Sequence, residues 1–279
     1  MIEILKKYYG INLEFYKNYN NGILFSINGD YYYLFNSVLI EAELEMVNEF
    51  VISLKERINF HNIILNNEGS ILSDGYVLIK LNSLIDDVSL YDIYKYNISV
   101  SVTNNEPFHI KWRNRIDYLE IQLAELCENK LINNSFDYFV GVAEQLMSFI
   151  ADNYNYHRDT YLVHRNIYNL NSIDFYNPEN IYVGNKYNDI LSYIYFYSDW
   201  ELLYKVLDSV DANDRIYFFV KLAFPFKYFY FVNMYVTGDS SKECNIKKIV
   251  DDISSYERFL KKLESIFKYN VFYWIKKDN

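Results

Sequence analysis

A chain of 279 residues, 51% of them hydrophobic, can bury a substantial core as one large domain or as two lobes. Its formal net charge of −10 works against phosphate backbones, whose affinity is built from Lys and Arg contacts that release counterions, and so excludes nucleic acid as a partner. Two isolated cysteines, Cys127 and Cys244, make no disulfide framework, the four histidines lack zinc-ligand spacing, and no uninterrupted apolar run is long enough to span a bilayer.

Residues 11–37 hold three β-like runs, "INLEFYKNY", "GILFSI" and "YYYLFNSV". They are separated by Asn21-Gly22 and Asn28-Gly29, dipeptides suited to tight hairpin turns, which predicts a three-stranded meander. In "EAELEMVNEFVISLKER" (41–57), Leu44, Val47, Val51 and Leu54 fall on one helical stripe behind an acidic first turn, so a helix follows. "NIILNNEGSILSDGYVLIKLN" predicts two further strands around a polar turn, and "NSLIDDVS" reads as a connector. The order to about residue 82 is β-β-β-α-β-β.

Beyond the connector the periodicity turns helical. "KWRNRIDYLEIQLAEL" places Ile116, Leu119, Leu123 and Leu126 at helical spacing. "SFDYFVGVAEQLMSFIADNY" predicts a second helix, with Ser135 as its cap and Phe136, Phe139, Ala143, Leu146 and Phe149–Ile150 as its apolar face. After a loop, "NDILSYIYF", "WELLYKVLDSV", "DRIYFFVKLAFPFKYFYFVNMYV" and "IVDDISSYERFLKKLESIF" all read helical. The densest of these, 217–236, carries Lys221, Lys227 and Pro225, so it reads as buried helix bent at the proline rather than as a membrane span. Its aromatics, Phe218, Phe219, Phe224, Phe226, Tyr228, Phe229, Tyr230 and Phe231, read as core, with an exposed patch for a protein partner as the alternative. The 31 tyrosines read as the codon bias of an AT-rich genome, with oxidative cross-linking or ligand stacking as the alternative. The N-terminus has no secretory h-region, so cytoplasmic synthesis is expected.

The loop itself is "LVHRNIYNLN" (162–171). With Asp in place of Asn166 it would read as a His-Arg-Asp…Asn phosphotransfer loop, in which the Asp takes the acceptor hydroxyl's proton and the Asn holds a metal ion. A small β-rich lobe with a helix after its third strand, a connector, and a helical lobe whose His-Arg loop follows two helices is the protein-kinase-like layout. The segments "WRNRIDYLE", "FDYFVGVAEQLMSFIAD", "LVHRNI", "DFYNPENIYVGNKYNDILSYI", "FVKLAFPFKYFYFVNMYV" and "YERFLKKLE" resemble, in that order over most of residues 110–265, the spore-coat kinase-like family of Firmicutes, the YutH/CotS type. That family is related in fold to aminoglycoside and choline phosphotransferases. The resemblance implies an α+β, protein-kinase-like bilobal fold. Residues 1–82 would be the N-lobe, a small antiparallel sheet plus one helix, and residues 83–279 the mostly helical C-lobe.

The residues that phosphoryl transfer needs are largely missing. Asn166 replaces the carboxylate with an amide that cannot act as a base. Asn171 keeps the metal-ligand spacing but equally suits a turn cap. Asp174 is a weak candidate for the second metal ligand, being only three residues further on. The resemblance implies an acid nearer Gly184, and "IYVGN" has none, which leaves Asp189 and Asp199 at a distance. Asp189 matches the family's acid at a helix start, whose implied role is to brace the loop through backbone hydrogen bonds. His164 then reads as a packing residue rather than a general base.

No lysine lies between Lys17 and Lys55, so the third strand offers no cation for nucleotide phosphates or for Glu41, Glu43, Glu45 or Glu49 on the next helix. Lys17 reads as a solvated strand lysine, and Gly22 alone makes no phosphate-cradling glycine loop. His157-Arg158 and His164-Arg165 form a basic spot that could draw a phosphate or a partner's carboxylate, unless Arg165 pairs internally with Asp174 or Glu179. The expectation is a catalytically degenerate, pseudokinase-like protein without a cofactor, acting as a structural or interaction component. By resemblance its partners are other spore-coat proteins and its destination the spore coat. The alternative is an atypical small-molecule phosphotransferase of the aminoglycoside/choline kinase type, using ATP and Mg²⁺.

Overall fold

The computed structural model describes residues 1–279 except 38, 57, 83–92, 94–98, 100–106, 127–128, 157–160, 165–170 and 276–279. The chain divides into two compact units, Met1–Thr103 with Asp159–Phe196, and Asn104–Arg158 with Tyr197–Asn279.

The first unit opens with a helix, α1 (Ile2–Tyr9), where the sequence reading named no element; it buries Leu5. Strands β1 (Lys17–Tyr19), β2 (Gly22–Ile27) and β3 (Asp30–Asn36) form the meander, α2 (Glu41–Ser53) follows, and β4 (Asn62–Ile64) and β5 (Tyr76–Leu81) complete an antiparallel five-stranded sheet of order β1-β2-β3-β5-β4. Because strand side chains alternate between faces, Tyr33, Phe35, Val77 and Ile79 pack with Leu44 of α2, while Leu34 and Leu78 pack with Ile23, Phe25 and Leu5. The sheet therefore buries both faces. Only three residues of the run expected from residue 11 are strand.

The second hairpin turn is the expected Asn28-Gly29, with φ of 52 and 87, the positive values a two-residue turn demands. The first lies one residue earlier than expected, at Asn20-Asn21, with Asn20 at φ 45 and Gly22 inside β2 opposite Phe35. The glycine serves a close approach instead of a turn. A Cβ there would overlap the Leu34 carbonyl oxygen and come within 2.7 Å of the Tyr33 ring and 2.9 Å of the Phe35 Cα. Gly22→Ala is thus expected to cost roughly 1–3 kcal/mol in a denaturant melt, since backbone must move to admit the methyl group. An unchanged midpoint would refute this account.

The rest of the first unit is β6 (Tyr161–His164), the single-turn helix α5 (Ser172–Phe175), a 3₁₀ turn at Pro178–Asn180, β7 (Ile181–Gly184) antiparallel to β6, and α6 (Asn188–Tyr197). The sequence reading placed this segment with the helical residues 83–279. In the structure it groups with the sheet, because Leu162, Phe175 and Ile181 share a core with Val51, Ile58 and Phe60, and Ile173 joins the α2–sheet core.

The second unit comprises α3 (Phe108–Leu126), α4 (Lys130–Asn153), α7 (Trp200–Leu207), α8 (Ala212–Ala223), α9 (Phe226–Val236), α10 (Glu243–Asp251) and α11 (Ile253–Phe267). The α4 cap is Asn129, whose side-chain oxygen accepts from the N–H of Leu131 at 2.9 Å, and not the expected Ser135. Ser135 sits in the second turn, its hydroxyl donating to the Leu131 carbonyl at 2.8 Å. The helix break at Pro225 falls between α8 and α9, and Phe218, Phe219, Phe224, Tyr228 and Phe229 on either side are buried; Tyr228 stacks on Phe139 of α4 at 3.9 Å. Among the described residues no helix is long and apolar enough to cross a membrane.

Candidate functional site

Strand β6 delivers His164 to the start of the loop, and the turn after β7 delivers Asp189 to the first turn of α6. Both are buried. One Asp189 oxygen accepts the His164 backbone N–H at 2.9 Å, the other meets His164 Nδ1 at 2.8 Å, and His164 Nε2 meets the Phe175 carbonyl at 2.9 Å. The imidazole also stacks on the Phe175 ring at 4.1 Å. With no exposed surface, His164 spends both ring nitrogens on partners inside the protein. Asn188 adds a bond from its amide to the His164 carbonyl at 2.9 Å.

Asn171 caps α5, its side-chain oxygen accepting the Asp174 N–H at 2.9 Å. Its amide nitrogen donates to the Tyr19 hydroxyl at 2.6 Å and to Asp174 Oδ2 at 3.0 Å. Tyr19, at the end of β1, donates to the same Asp174 oxygen at 3.1 Å, and Asn20 reaches the other at 3.5 Å. The first hairpin is thereby tied to the two weak metal candidates. Tyr33 of β3 braces the hairpin in turn, its hydroxyl donating to the Asn21 side chain at 2.9 Å while its ring meets Tyr19 edge-on at 5.5 Å. Burial, reinforced by the Asp174 charge, pushes both hydroxyls well above the ordinary tyrosine range and keeps them protonated as donors.

Several other acids named in the sequence are engaged within the protein. Buried Glu179 accepts from the Ser37 hydroxyl at 2.8 Å and the Leu39 N–H at 3.3 Å. Glu41 receives the Ser70 hydroxyl and the Ile71 N–H at 3.0 Å, and the Ser70 bond draws its carboxyl below the usual range. Glu43 caps α2 through the Ile40 N–H at 3.1 Å. Asp199 caps α7 through the Leu202 N–H at 3.0 Å. Asn185, beside the Gly184 position where the resemblance implied an acid, turns its oxygen onto the Tyr187 N–H at 2.9 Å. Lys17 is exposed on β1. Asn166, Arg165, the His157-Arg158 pair and Cys127 lie outside the described residues.

Tyr19, Asn20, Tyr33 and His61 carry no sequence signal: three belong to residue types abundant along the chain, and His61 sits in an ordinary polar stretch. His61 is buried beside α5, its Nε2 bonded to the Ser172 carbonyl at 2.9 Å and its Nδ1 accepting the Asn82 N–H at 3.1 Å. A carbonyl can only accept and an amide can only donate, so these partners select one neutral tautomer.

Among the described residues no three His, Cys, Asp or Glu side chains are grouped as a metal site. Strand β3 bears tyrosines and no lysine, the residue that pairs with nucleotide phosphates in protein kinases.

Neither a family model nor a curated protein matches the sequence. Solved structures do. The chain is similar to an aminoglycoside phosphotransferase from Alicyclobacillus acidocaldarius (TM-score 0.60, 11% identity, covering 92% of this chain and 93% of that one). It is also similar to the spectinomycin phosphotransferase APH(9)-Ia in complex with ADP and spectinomycin (TM-score 0.55, 12% identity, covering 92% and 97%). The AMP-bound complex of the same enzyme matches with TM-score 0.53, 13% identity and coverage of 89% and 93%. Identity this low speaks for fold and not for chemistry. The chain has the kinase-like phosphotransferase fold, with a five-stranded antiparallel sheet followed by a mostly helical remainder.

Proposed function

We propose that this chain is a catalytically degenerate kinase-fold protein that acts as a structural or interaction component, by resemblance within a spore coat. The observation that carries the reading is the closed circuit of Tyr19, Asn20, Asn171 and Asp174. The groups nearest to a metal-binding pair spend their hydrogen bonds on the protein's own first hairpin, in a fold whose active members aim them at nucleotide. Asn166 in the base position and the lack of a β3 lysine point the same way.

The expected result is no rise in melting temperature with millimolar ATP and Mg²⁺, because a ligand stabilises only a native state that binds it. Asn166→Asp supplies a carboxylate but no phosphate-binding cation, so it is expected to give no phosphoryl transfer to aminoglycoside, choline or other small hydroxyl and amine acceptors. A shift of several degrees that Asn171→Ala abolishes would overturn the reading. It would promote the second one, an ATP- and Mg²⁺-dependent small-molecule phosphotransferase with displaced ligands, which the likeness to the ADP-bound spectinomycin enzyme favours.

A further inference from the structure

The second unit carries two fields of opposite sign on neighbouring helices. Helix α3 holds Asp117 and Glu120 in water, and α4, packed against it, adds Asp137 and Glu144 two turns apart on its exposed stripe. Partial burial, followed by the charges of Asp117, Glu144 and Asp137, raises the Glu120 carboxyl above its ordinary range. Among the described residues none of these four carboxylates stands in an ion pair.

On the other flank of α4 the sign changes. Tyr138, next to Asp137, donates to Glu257 of α11 at 3.2 Å, and Gln145, next to Glu144, accepts the Trp274 indole N–H at 2.7 Å. A cavity of about 830 Å³ there is lined by Arg258, Lys261 and Lys262. The two acids in its wall are used inside the protein. Glu257 serves Tyr138, while buried Glu264 holds Lys261 at 2.8 Å and the N–H groups of Val271 and Phe272 at 2.6 Å. Arg258 and Lys262 are left without a carboxylate among the described residues: one donates to the Ser255 hydroxyl at 2.9 Å, and the other lies 3.7 Å over the Trp200 ring. Four residues apart on one helix, the two cations repel each other. Trp274, edge-on to Tyr138, is still 37% exposed, and Tyr273 beside it in the chain is 78% exposed; both are residue types that anchor protein interfaces.

We propose that this face pairs with the same face of a second copy of the chain, in a twofold dimer that lays the α3 and α4 acids of each protomer against Arg258 and Lys262 of the other. A twofold contact is self-complementary, so it needs opposite patches close together on one surface, and α4 supplies that by carrying acids on one flank and touching α11 and the tail with the other. The net charge of −10 opposes association at long range, but salt screens charges more than about 8 Å apart under physiological conditions, so the local pattern decides. Each side relieves a like-charge cost on the other. The inference rests on the interaction reading above and names the partner, but its test involves no nucleotide, so either can fail without the other.

The experiment is sedimentation equilibrium on the full chain. Wild type is expected to be a dimer with a dissociation constant in the micromolar range, weakened roughly tenfold between about 0.1 and 0.5 M salt. Two charge-reversed chains follow, one with Glu120→Lys and Glu144→Lys, the other with Arg258→Glu and Lys262→Glu, all at exposed positions. Each alone is expected to be monomeric, because like charges then face each other across both halves of the contact. Mixed in equal amounts they are expected to form a heterodimer, since both halves are again complementary. A monomeric wild type, or a dimer that neither salt nor either reversal weakens, would overturn the proposal. A mixture that stays monomeric while both chains melt like wild type would do the same, as would open-ended assemblies in place of a dimer, because a twofold contact closes on itself. The salt dependence of wild type needs no variant, so the proposal can fail even where a reversed chain does not fold.

Discussion

Asp189→Ala is expected to lower stability by about 3 kcal/mol in a denaturant melt, with the loss concentrated in the first unit. The carboxylate is buried and holds two groups of one residue, the backbone N–H of His164 at 2.9 Å and its Nδ1 at 2.8 Å. Alanine leaves both buried groups without their acceptor, and the His164 ring loses the partner that sets its orientation against Phe175. Asp199→Ala is the comparison. That aspartate caps α7 through a single N–H, so its removal is expected to cost about 1 kcal/mol. Equal losses in the two variants would show that Asp189 is no more than a helix-start acid.

The second large effect is in pH. His61 is held neutral, its imidazole pushed from an ordinary 6.5 down to about 4 by burial, against which the Ser172 carbonyl acts weakly. As pH falls below 6.5 the unfolded chain takes up a proton that the native state refuses, so stability present above pH 6.5 drains away until the native imidazole titrates near 4. At roughly 1.4 kcal/mol per pH unit, the full loss is about 3 kcal/mol. Carboxylates titrate in the lower part of this window, so the measurement is the difference between wild type and His61→Gln, whose amide can meet the same two partners without a charge. The gap in unfolding free energy is expected to favour wild type at pH 7 and to shrink or reverse by pH 4. Parallel curves would refute the assignment.

Much of the fold was legible in the sequence. The β-like runs "GILFSI" and "YVLIKL", the Asn28-Gly29 turn and the stripe of Leu44, Val47 and Val51 are local signals, each read from a few adjacent residues. Together they determine the β-β-β-α-β-β order and the helices that follow. The residues behind the proposed function are equally local: the absence of a lysine from the third strand, Asn166 in the His-Arg-Asn loop and a single glycine near the first hairpin turn can be read from residue identities alone.

What only the tertiary structure decided is where those residues spend their hydrogen bonds. Nothing in the order of residues joins Tyr19 to Asp174, Glu179 to Ser37, or His61 to Ser172, pairs more than a hundred positions apart whose meeting depends on how hairpin, helix and loop fold together. The same holds for Gly22, which reads locally as a turn residue. It becomes a strand residue because the neighbouring strand lies too close for any side chain, and that displaces the turn onto Asn20. Periodicity reports which face of an element is buried; it is silent on which distant polar group waits on that face, because one hydrogen bond leaves no repeating pattern in the chain.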